Sequence, residues 1–239
     1  MLSVNKKCIF IPLKVQRKRS SIMIRNLGKK NSLLNQYIAE LRDEQIQLDA
    51  MRFRRNLERI GEIFAYEISK ELEYENREVT TSLGAAVVPV LRENPVIGCI
   101  LRAGIPLHMG FLNYFDRSEN AFISAYRKYQ KDGGFTIQIE YLSSPALEGR
   151  TLILTDPMLA TGASMVLTYR ELLDKGRPAH THLVTILASV EGVEYVKRNL
   201  SSSEVTLWVG AIDDELTAQA YIVPGLGDAG DLAFGSKDS

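Results

Sequence analysis

From Gly84 to Gly210 the chain alternates two rhythms, and that alternation limits its fold more than any other feature. Short apolar, β-branched runs take turns with stretches of helical spacing. Val96–Leu101 reads as a buried strand, with 103–115 as the helix after it. Residues 121–126 read as the next strand. Lys131-Asp132-Gly133-Gly134 marks a turn, and 135–141 alternates like the returning arm of a hairpin. Thr151–Thr155 reads as a strand feeding a helix over 163–175. A strand over 182–187, a helix over Val190–Asn199 and a strand over 205–210 complete the series. Strands that alternate with helices predict an α/β fold: a mostly parallel sheet flanked by helices on both faces.

Ahead of this region the periodicity is helical. Leu33, Leu34, Tyr37, Ile38 and Leu41 share one helix face, with Asn31 or Ser32 as a cap. A longer helix is predicted over about 50–74, where Phe53, Leu57, Ile60, Phe64, Ile68 and Leu72 recur at three and four. That stripe is read as core packing. The chain ends in a glycine-rich cap, so the expected unit is one α/β domain with an N-terminal helical arm.

A length of 239 residues, 45% of them hydrophobic and 24% charged, suits a globular domain with a substantial core. No apolar run reaches the roughly 18 residues that span a bilayer, so no membrane partner is expected. Two cysteines, Cys8 and Cys99, exclude a disulfide framework and a four-thiolate zinc site, and a reducing, cytoplasmic setting is the default. The net charge of zero hides an asymmetry. Residues 1–30 hold nine of the 29 Lys and Arg and none of the 29 Asp and Glu, leaving 20 bases against 29 acids in the rest. The acidic body disfavours a nucleic-acid footprint. The basic segment 1–30 is read as a disordered tail or an over-extended start rather than a targeting peptide, and 31–239 as the single domain.

The chemistry concentrates where Thr151–Thr155 runs into Asp156-Pro157-Met158-Leu159-Ala160-Thr161-Gly162-Ala163-Ser164. A buried strand ends in a carboxylate, and a loop of small and hydroxylated residues enters a helix. Backbone N–H groups at a helix N-terminus favour an anion, and Thr161 and Ser164 add hydroxyl donors. Gly162 would let the ligand approach closely. No Gly-Lys-Ser/Thr follows, so this is not a Walker loop. A carboxylate just before a phosphate cradle suits a ligand with hydroxyls near its phosphate, such as a ribose 5-phosphate. The bland alternative is a helix capped by Thr161 with Asp156 merely solvated.

This loop resembles the 5-phosphoribosyl 1-pyrophosphate (PRPP) loop of the type I phosphoribosyltransferases. Asp-Pro-Met-Leu-Ala-Thr-Gly is similar to the variant of the uracil phosphoribosyltransferase branch. Ile100-Leu101-Arg102-Ala103-Gly104 resembles that family's Leu-Arg-Ala-Gly loop. Tyr221-Ile222-Val223-Pro224-Gly225-Leu226-Gly227-Asp228-Ala229-Gly230-Asp231 resembles its C-terminal uracil-recognition loop. The sequence departs from the pattern at Ala163, where a second Gly is usual, and at Leu232, where a charged residue is usual. Neither removes a group that the resemblance assigns to chemistry.

The resemblance implies a type I phosphoribosyltransferase-like fold with a hairpin and a C-terminal base-binding loop. The implied reaction joins uracil to PRPP, giving UMP and pyrophosphate in pyrimidine salvage. By resemblance, PRPP is held by Arg102, Arg127, Asp228 and the whole loop from Asp156 to Ser164. Asp156, Arg102 and Asp228 are the residues expected to carry catalysis. The main chain of Ile222, Gly227 and Ala229, with Asp228, is expected to read uracil. Mg²⁺ is the expected cofactor, carried by substrate oxygens with no direct protein ligand assigned. A homo-oligomer, a dimer or higher, is the implied assembly. GTP is an effector in some relatives, and the residues leave that open here. Alternatives are transfer to another base, or a non-catalytic, uracil-nucleotide-sensing regulator that binds RNA. Orotate would want a cation in the base loop, and 221–235 has no Lys or Arg.

Other motifs have plainer readings. Gly225-Leu226-Gly227-Asp228-Ala229-Gly230 has the spacing of a dinucleotide fingerprint. That fingerprint needs a second strand and an acid about 20 residues on, and only nine residues follow Gly230. Arg102 and Arg127 each have an ordinary alternative as surface charges. His180 and His182 lack a third metal ligand. His108 is read as a packing or surface residue, and Trp208 and Cys99 as packing residues.

Overall fold

The computed structural model describes residues 22–129, 135–200 and 203–236, with side chains outside the description at 126–138. Residues 1–21 of the expected tail 1–30, and the turn 131–134, therefore lie outside the described residues.

The chain opens with strand β1 (Met23–Asn26), helix α1 (Leu33–Arg42) and helix α2 (Ala50–Ser69). Ser32 is the α1 cap: its hydroxyl accepts from the Leu34 N–H at 3.3 Å, and Asn35 returns the bond to the Ser32 N–H at 3.2 Å. A hairpin follows, β2 (Tyr74–Thr81) and β3 (Gly84–Leu91). Then come β4 (Val96–Leu101), α3 (Gly104–Leu112), β5 (Asn120–Tyr129), β6 (Phe135–Ser143), β7 (Thr151–Thr155), β8 (Met158–Leu159) and α4 (Ala163–Leu172). The chain closes with β9 (His180–Ser189), α5 (Val190–Asn199), β10 (Val205–Asp213), β11 (Glu215–Leu216), β12 (Ile222–Val223) and α6 (Ala229–Phe234).

Among the described residues the central sheet has eight strands in the order β1-β10-β9-β7-β4-β5-β6, with β8 alongside β9. All of these pairings are parallel except β5 with β6. Alternate residues of each strand feed opposite cores. Ile97, Ile153, Val184 and Trp208 pack with α1, α2 and α3, whereas Val96, Ile100, Leu152, Leu154 and Leu207 pack with α4 and α5. This is the expected architecture, and the strand-by-strand alternation of its residues accounts for both covered faces.

Two differences stand out. The boundary expected at residue 31 falls inside the fold, because Met23 to Asn26 pair in parallel with Thr206 to Val209 of the central sheet. Ile22, just before that strand, is 4% exposed. The second helix stops at Ser69 rather than near 74, and the chain turns into the β2–β3 hairpin. Thr81 closes its turn, donating to the Gly84 carbonyl at 3.0 Å and accepting from the Leu83 N–H at 3.2 Å.

Candidate active site

The strand order reverses between β4 and β7: β5 lies to one side of β4, while β7, β9 and β10 run outward on the other. The loops leaving the C-terminal ends of two such strands diverge and open a crevice. Arg102 follows β4 and Asp156 follows β7, so the topology sets them on either side of it. The two loops also pack together: a Cβ on Gly104 would sit 3.3 Å from the Thr155 carbonyl oxygen and 3.1 Å from Cys99 Sγ. Burial, together with the Asp156 charge, pushes the Cys99 thiol up to about 12. Cys99 is thus a packed, protonated thiol, as expected.

The loop after β7 is tied down along its length. The Asp156 N–H donates to the Val184 carbonyl at 3.0 Å, and the Pro157 carbonyl accepts from Ile186 and Leu187 at 3.1 and 3.0 Å. Met158 and Leu159 then run as β8 beside Leu187 and Ala188. The Asp156 carboxylate accepts from the Met158 N–H at 3.2 Å. Thr161 Oγ1 accepts from the Ala163 N–H at a long 3.4 Å. Met158, Leu159, Ala160, Thr161, Gly162, Ser164 and Met165 line a small concavity at the start of α4. Backbone N–H groups of a helix's first turn, with the dipole behind them, make such a concavity an anion cradle.

Gly162 has a packing reason that its sequence does not show. Its φ is +78°, and a Cβ there would lie 2.8 Å from the Gly192 carbonyl oxygen. The absent side chain makes room for α5. Gly192 answers in kind: its own Cβ would lie 2.3 Å from the Ala160 carbonyl oxygen. Ser189 completes the brace, donating to the Ala160 carbonyl at 2.5 Å and accepting from the Gly192 N–H at 2.8 Å. Sequence reasoning missed Ser189 and Gly192. Their signal is a cap residue at a strand's end followed three residues later by glycine.

The C-terminal loop arrives beside Arg102. Arg102 Nη2 donates to Asp231 Oδ1 and to the Gly235 carbonyl, both at 3.1 Å. Arg102 is ion-paired, as its surface-charge alternative expects, and its partner lies in the C-terminal glycine-rich segment. Ile222, Leu226 and Ala229 belong to the large core that also holds Phe53, Ile97 and Trp208, and Ala103, Met158 and Ala160 pack against that same core. Asp228 caps α6, with Oδ1 accepting from the Gly230 and Asp231 N–H groups at 2.8 and 3.0 Å. Gly227 has a φ of +92° and its Cβ direction is open to 4 Å. Arg127 lies on β5 opposite Ile137, and its side chain is outside the description. Asp231 is a residue the sequence reading left unused.

The histidines sit apart from this crevice. Burial, with His180 alongside, lowers His182 to about 3, and its Nδ1 accepts from Trp208 Nε1 at 3.0 Å. The His180 ring lies 4.7 Å from it. His108 is buried on α3 beside Phe122, and burial lowers it to about 4. All three fill space. Among the described residues no group of three or more His, Cys, Asp or Glu is placed to hold a metal, and no helix is long and apolar enough to cross a membrane.

Comparison with known proteins covers this same stretch. The family model for uracil phosphoribosyltransferase matches residues 29–236. A uracil phosphoribosyltransferase of Porphyromonas gingivalis is 53% identical over 212 residues, 89% of this chain and 98% of its own. One from Thermococcus gammatolerans is 36% identical over 202 residues, 83% of this chain and 88% of its own. The solved structure of the AQ2163 protein from Aquifex aeolicus has a TM-score of 0.80 at 30% identity, covering 89% of this chain and 98% of that one. Arg102, the Asp156 loop and the C-terminal loop all fall within the matched span, and the chain belongs to the uracil phosphoribosyltransferase family.

Proposed function

We propose that this protein transfers the ribosyl 5-phosphate group of PRPP to uracil, giving UMP and pyrophosphate. One observation carries the reading: in a chain of this family, the Arg102–Asp231 pair joins the loop after β4 to the C-terminal loop, and the Asp156–Ser164 loop leaves the neighbouring strand β7. In the reaction the bond from ribose C1 to pyrophosphate breaks, a bond from C1 to a uracil ring nitrogen forms, and that nitrogen's proton is released. Positive charge develops on the sugar as the anion leaves, so catalysis rests on alignment and charge stabilisation.

In this reading the 5-phosphate sits on the N–H groups and hydroxyls of Leu159, Ala160, Thr161, Gly162, Ala163 and Ser164. Pro157 and Met158 hold that loop against β9. Asp156 accepts from the ribose hydroxyls, and Arg102 and Arg127 neutralise the pyrophosphate. The main chain of Ile222, Gly227 and Ala229 reads the uracil edge, and Asp228 brings base and PRPP into register. Mg²⁺ suits this chemistry, as an ion commonly held by substrate phosphates, waters and one or two carboxylates. Asp156 and Asp228 would be the carboxylates for that role, and the ion would neutralise charge on the pyrophosphate.

The family resemblance also brings a homo-oligomer. The β2–β3 hairpin supports it, with Leu83 98% and Val87 64% exposed. A cytoplasmic setting agrees with the buried free thiol of Cys99. GTP activation rests on the resemblance alone.

Calorimetric titration of PRPP with and without Mg²⁺ tests the phosphate half. The expected result is saturable, Mg²⁺-strengthened binding, weakened in Asp156→Asn. No binding by the wild type would overturn the reading.

A further inference from the structure

Two residues from opposite ends of the chain hold the base loop at one point. Arg42 ends α1 and Asp213 ends β10. Their side chains meet bidentately, Nη1 to Oδ2 at 2.8 Å and Nη2 to Oδ1 at 2.7 Å. Arg42 Nη1 also donates to the Gly225 carbonyl at 2.9 Å, and Asp213 Oδ2 accepts from the Gly225 N–H at 3.0 Å. One ion pair therefore satisfies both main-chain polar groups of a single residue.

Gly225 stands between Ile222 and Gly227, and it has no freedom to drift. Its φ is +55°, and a Cβ there would lie 2.1 Å from the Ile222 carbonyl oxygen. Asp213 is 8% exposed. Burial opposes its ionisation, but the Arg42 guanidinium and the Gly225 N–H hold its carboxyl below the usual range. The pair is charged, partly buried and doubly hydrogen-bonded, with its carboxylate the more enclosed partner, a condition in which an ion pair fixes geometry. A second arm residue acts further along, where Arg54 Nη1 donates to the Ala233 carbonyl at 2.7 Å. The Asp156–Ser164 loop is braced separately, by β9 and by Ser189 at the start of α5.

We propose that Arg42 and Asp213 are positioning residues for uracil: by holding both polar groups of Gly225, they set where the base-reading main chain of Ile222, Gly227 and Ala229 stands. A donor or acceptor displaced by about 0.5 Å or more makes a weaker bond to a flat, rigid ring, so the effect falls on uracil far more than on PRPP, whose proposed cradle is braced elsewhere. The inference rests on the assignment of uracil to that main chain.

The test measures uracil KM, kcat, PRPP affinity and Tm for Asp213→Asn, Arg42→Lys and the reversed pair R42D/D213R. Asp213→Asn removes the charge at constant shape. Arg42→Lys has one ammonium, which cannot bridge two carboxylate oxygens and a carbonyl together. The reversed pair restores the ion pair but leaves the Gly225 N–H without its acceptor. The expected result is a tenfold or greater rise in uracil KM for each, with PRPP affinity within twofold. In the reversed pair Tm should recover towards wild type while uracil KM does not. An unchanged uracil KM in folded variants overturns the inference, as does an equal loss of PRPP affinity. Recovery of uracil KM together with Tm in the reversed pair also overturns it, because that marks a purely structural role. If Asp213→Asn does not fold, Arg42→Lys decides by the same criteria. A wild type that turns over no uracil would instead remove the assignment on which the inference rests.

Discussion

Gly162→Ala separates a packing role from a ligand-clearance role in the phosphate loop. The added methyl would lie 2.8 Å from the Gly192 carbonyl oxygen, 3.3 Å from Tyr195 Cδ1 and 3.4 Å from Gly192 Cα, at a φ of +78°. Left-handed backbone costs a non-glycine residue about 1–2 kcal/mol. Overpacking a tight contact adds about 1–3 kcal/mol. Gly192 cannot retreat freely, because Ser189 binds its N–H at 2.8 Å. The expected loss is about 2–5 kcal/mol. At about 2–4 °C per kcal/mol for a chain of this size, Tm should fall by about 4–20 °C. Scanning calorimetry of the ligand-free protein reads this directly. Gly192→Ala should behave alike, because its Cβ would meet two carbonyl oxygens of the same loop within 2.6 Å. An unchanged Tm in Gly162→Ala, with PRPP binding lost, would refute the packing account and restore close ligand approach as the reason for glycine.

Asp156→Asn should lose roughly 2–4 kcal/mol of transition-state stabilisation with the fold intact, read as kcat/KM beside circular dichroism. Arg102→Lys should weaken PRPP binding despite keeping the charge, since an ammonium cannot grip two pyrophosphate oxygens as a guanidinium does; full affinity in a titration would make Arg102 a point charge. Gly227→Ala should raise uracil KM more than it changes PRPP affinity, because its Cβ would project into open space before the loop. Stability should fall as pH drops below about 6.5, the unfolded value for histidine. Burial depresses His182 to about 3 and His108 to about 4, so the unfolded chain binds protons there first and draws the equilibrium towards itself. Denaturant titrations from pH 7.5 to 4 measure this slope, and a flat profile across pH 6.5–4.5 would count against neutral buried histidines.

The parallel sheet is legible in the sequence because its inner strands β4, β7, β9 and β10 alternate residues between two buried faces or run apolar throughout. β4, β7 and α5 have the expected bounds, and the strand–loop–helix order puts the Asp156–Ser164 loop where it is found. The β2–β3 hairpin is not legible. Nearly all its residues are exposed on both faces, so no period of two marks it, and Leu72 extends the helical stripe towards it. β1 is hidden for a different reason. Its four residues lie at a sheet edge with a half-exposed pattern, beside basic residues that read as a tail. Gly162 is recognisable as a special position, but the helix that requires it begins 28 residues later. Arg42 and Asp213 stand 171 positions apart, and no local pattern links a helix-ending arginine to a strand-ending aspartate.

Base selectivity tests the central claim most directly. Labelled uracil, cytosine, hypoxanthine and orotate are each offered with PRPP and Mg²⁺, and the nucleotide product and pyrophosphate are measured together. The account predicts UMP and pyrophosphate in equal amounts from uracil. It also predicts about 10⁴-fold or greater discrimination against cytosine, whose edge leaves a rigid main-chain donor and acceptor unpaired. Comparable turnover of cytosine or orotate, or no product from uracil, would contradict it.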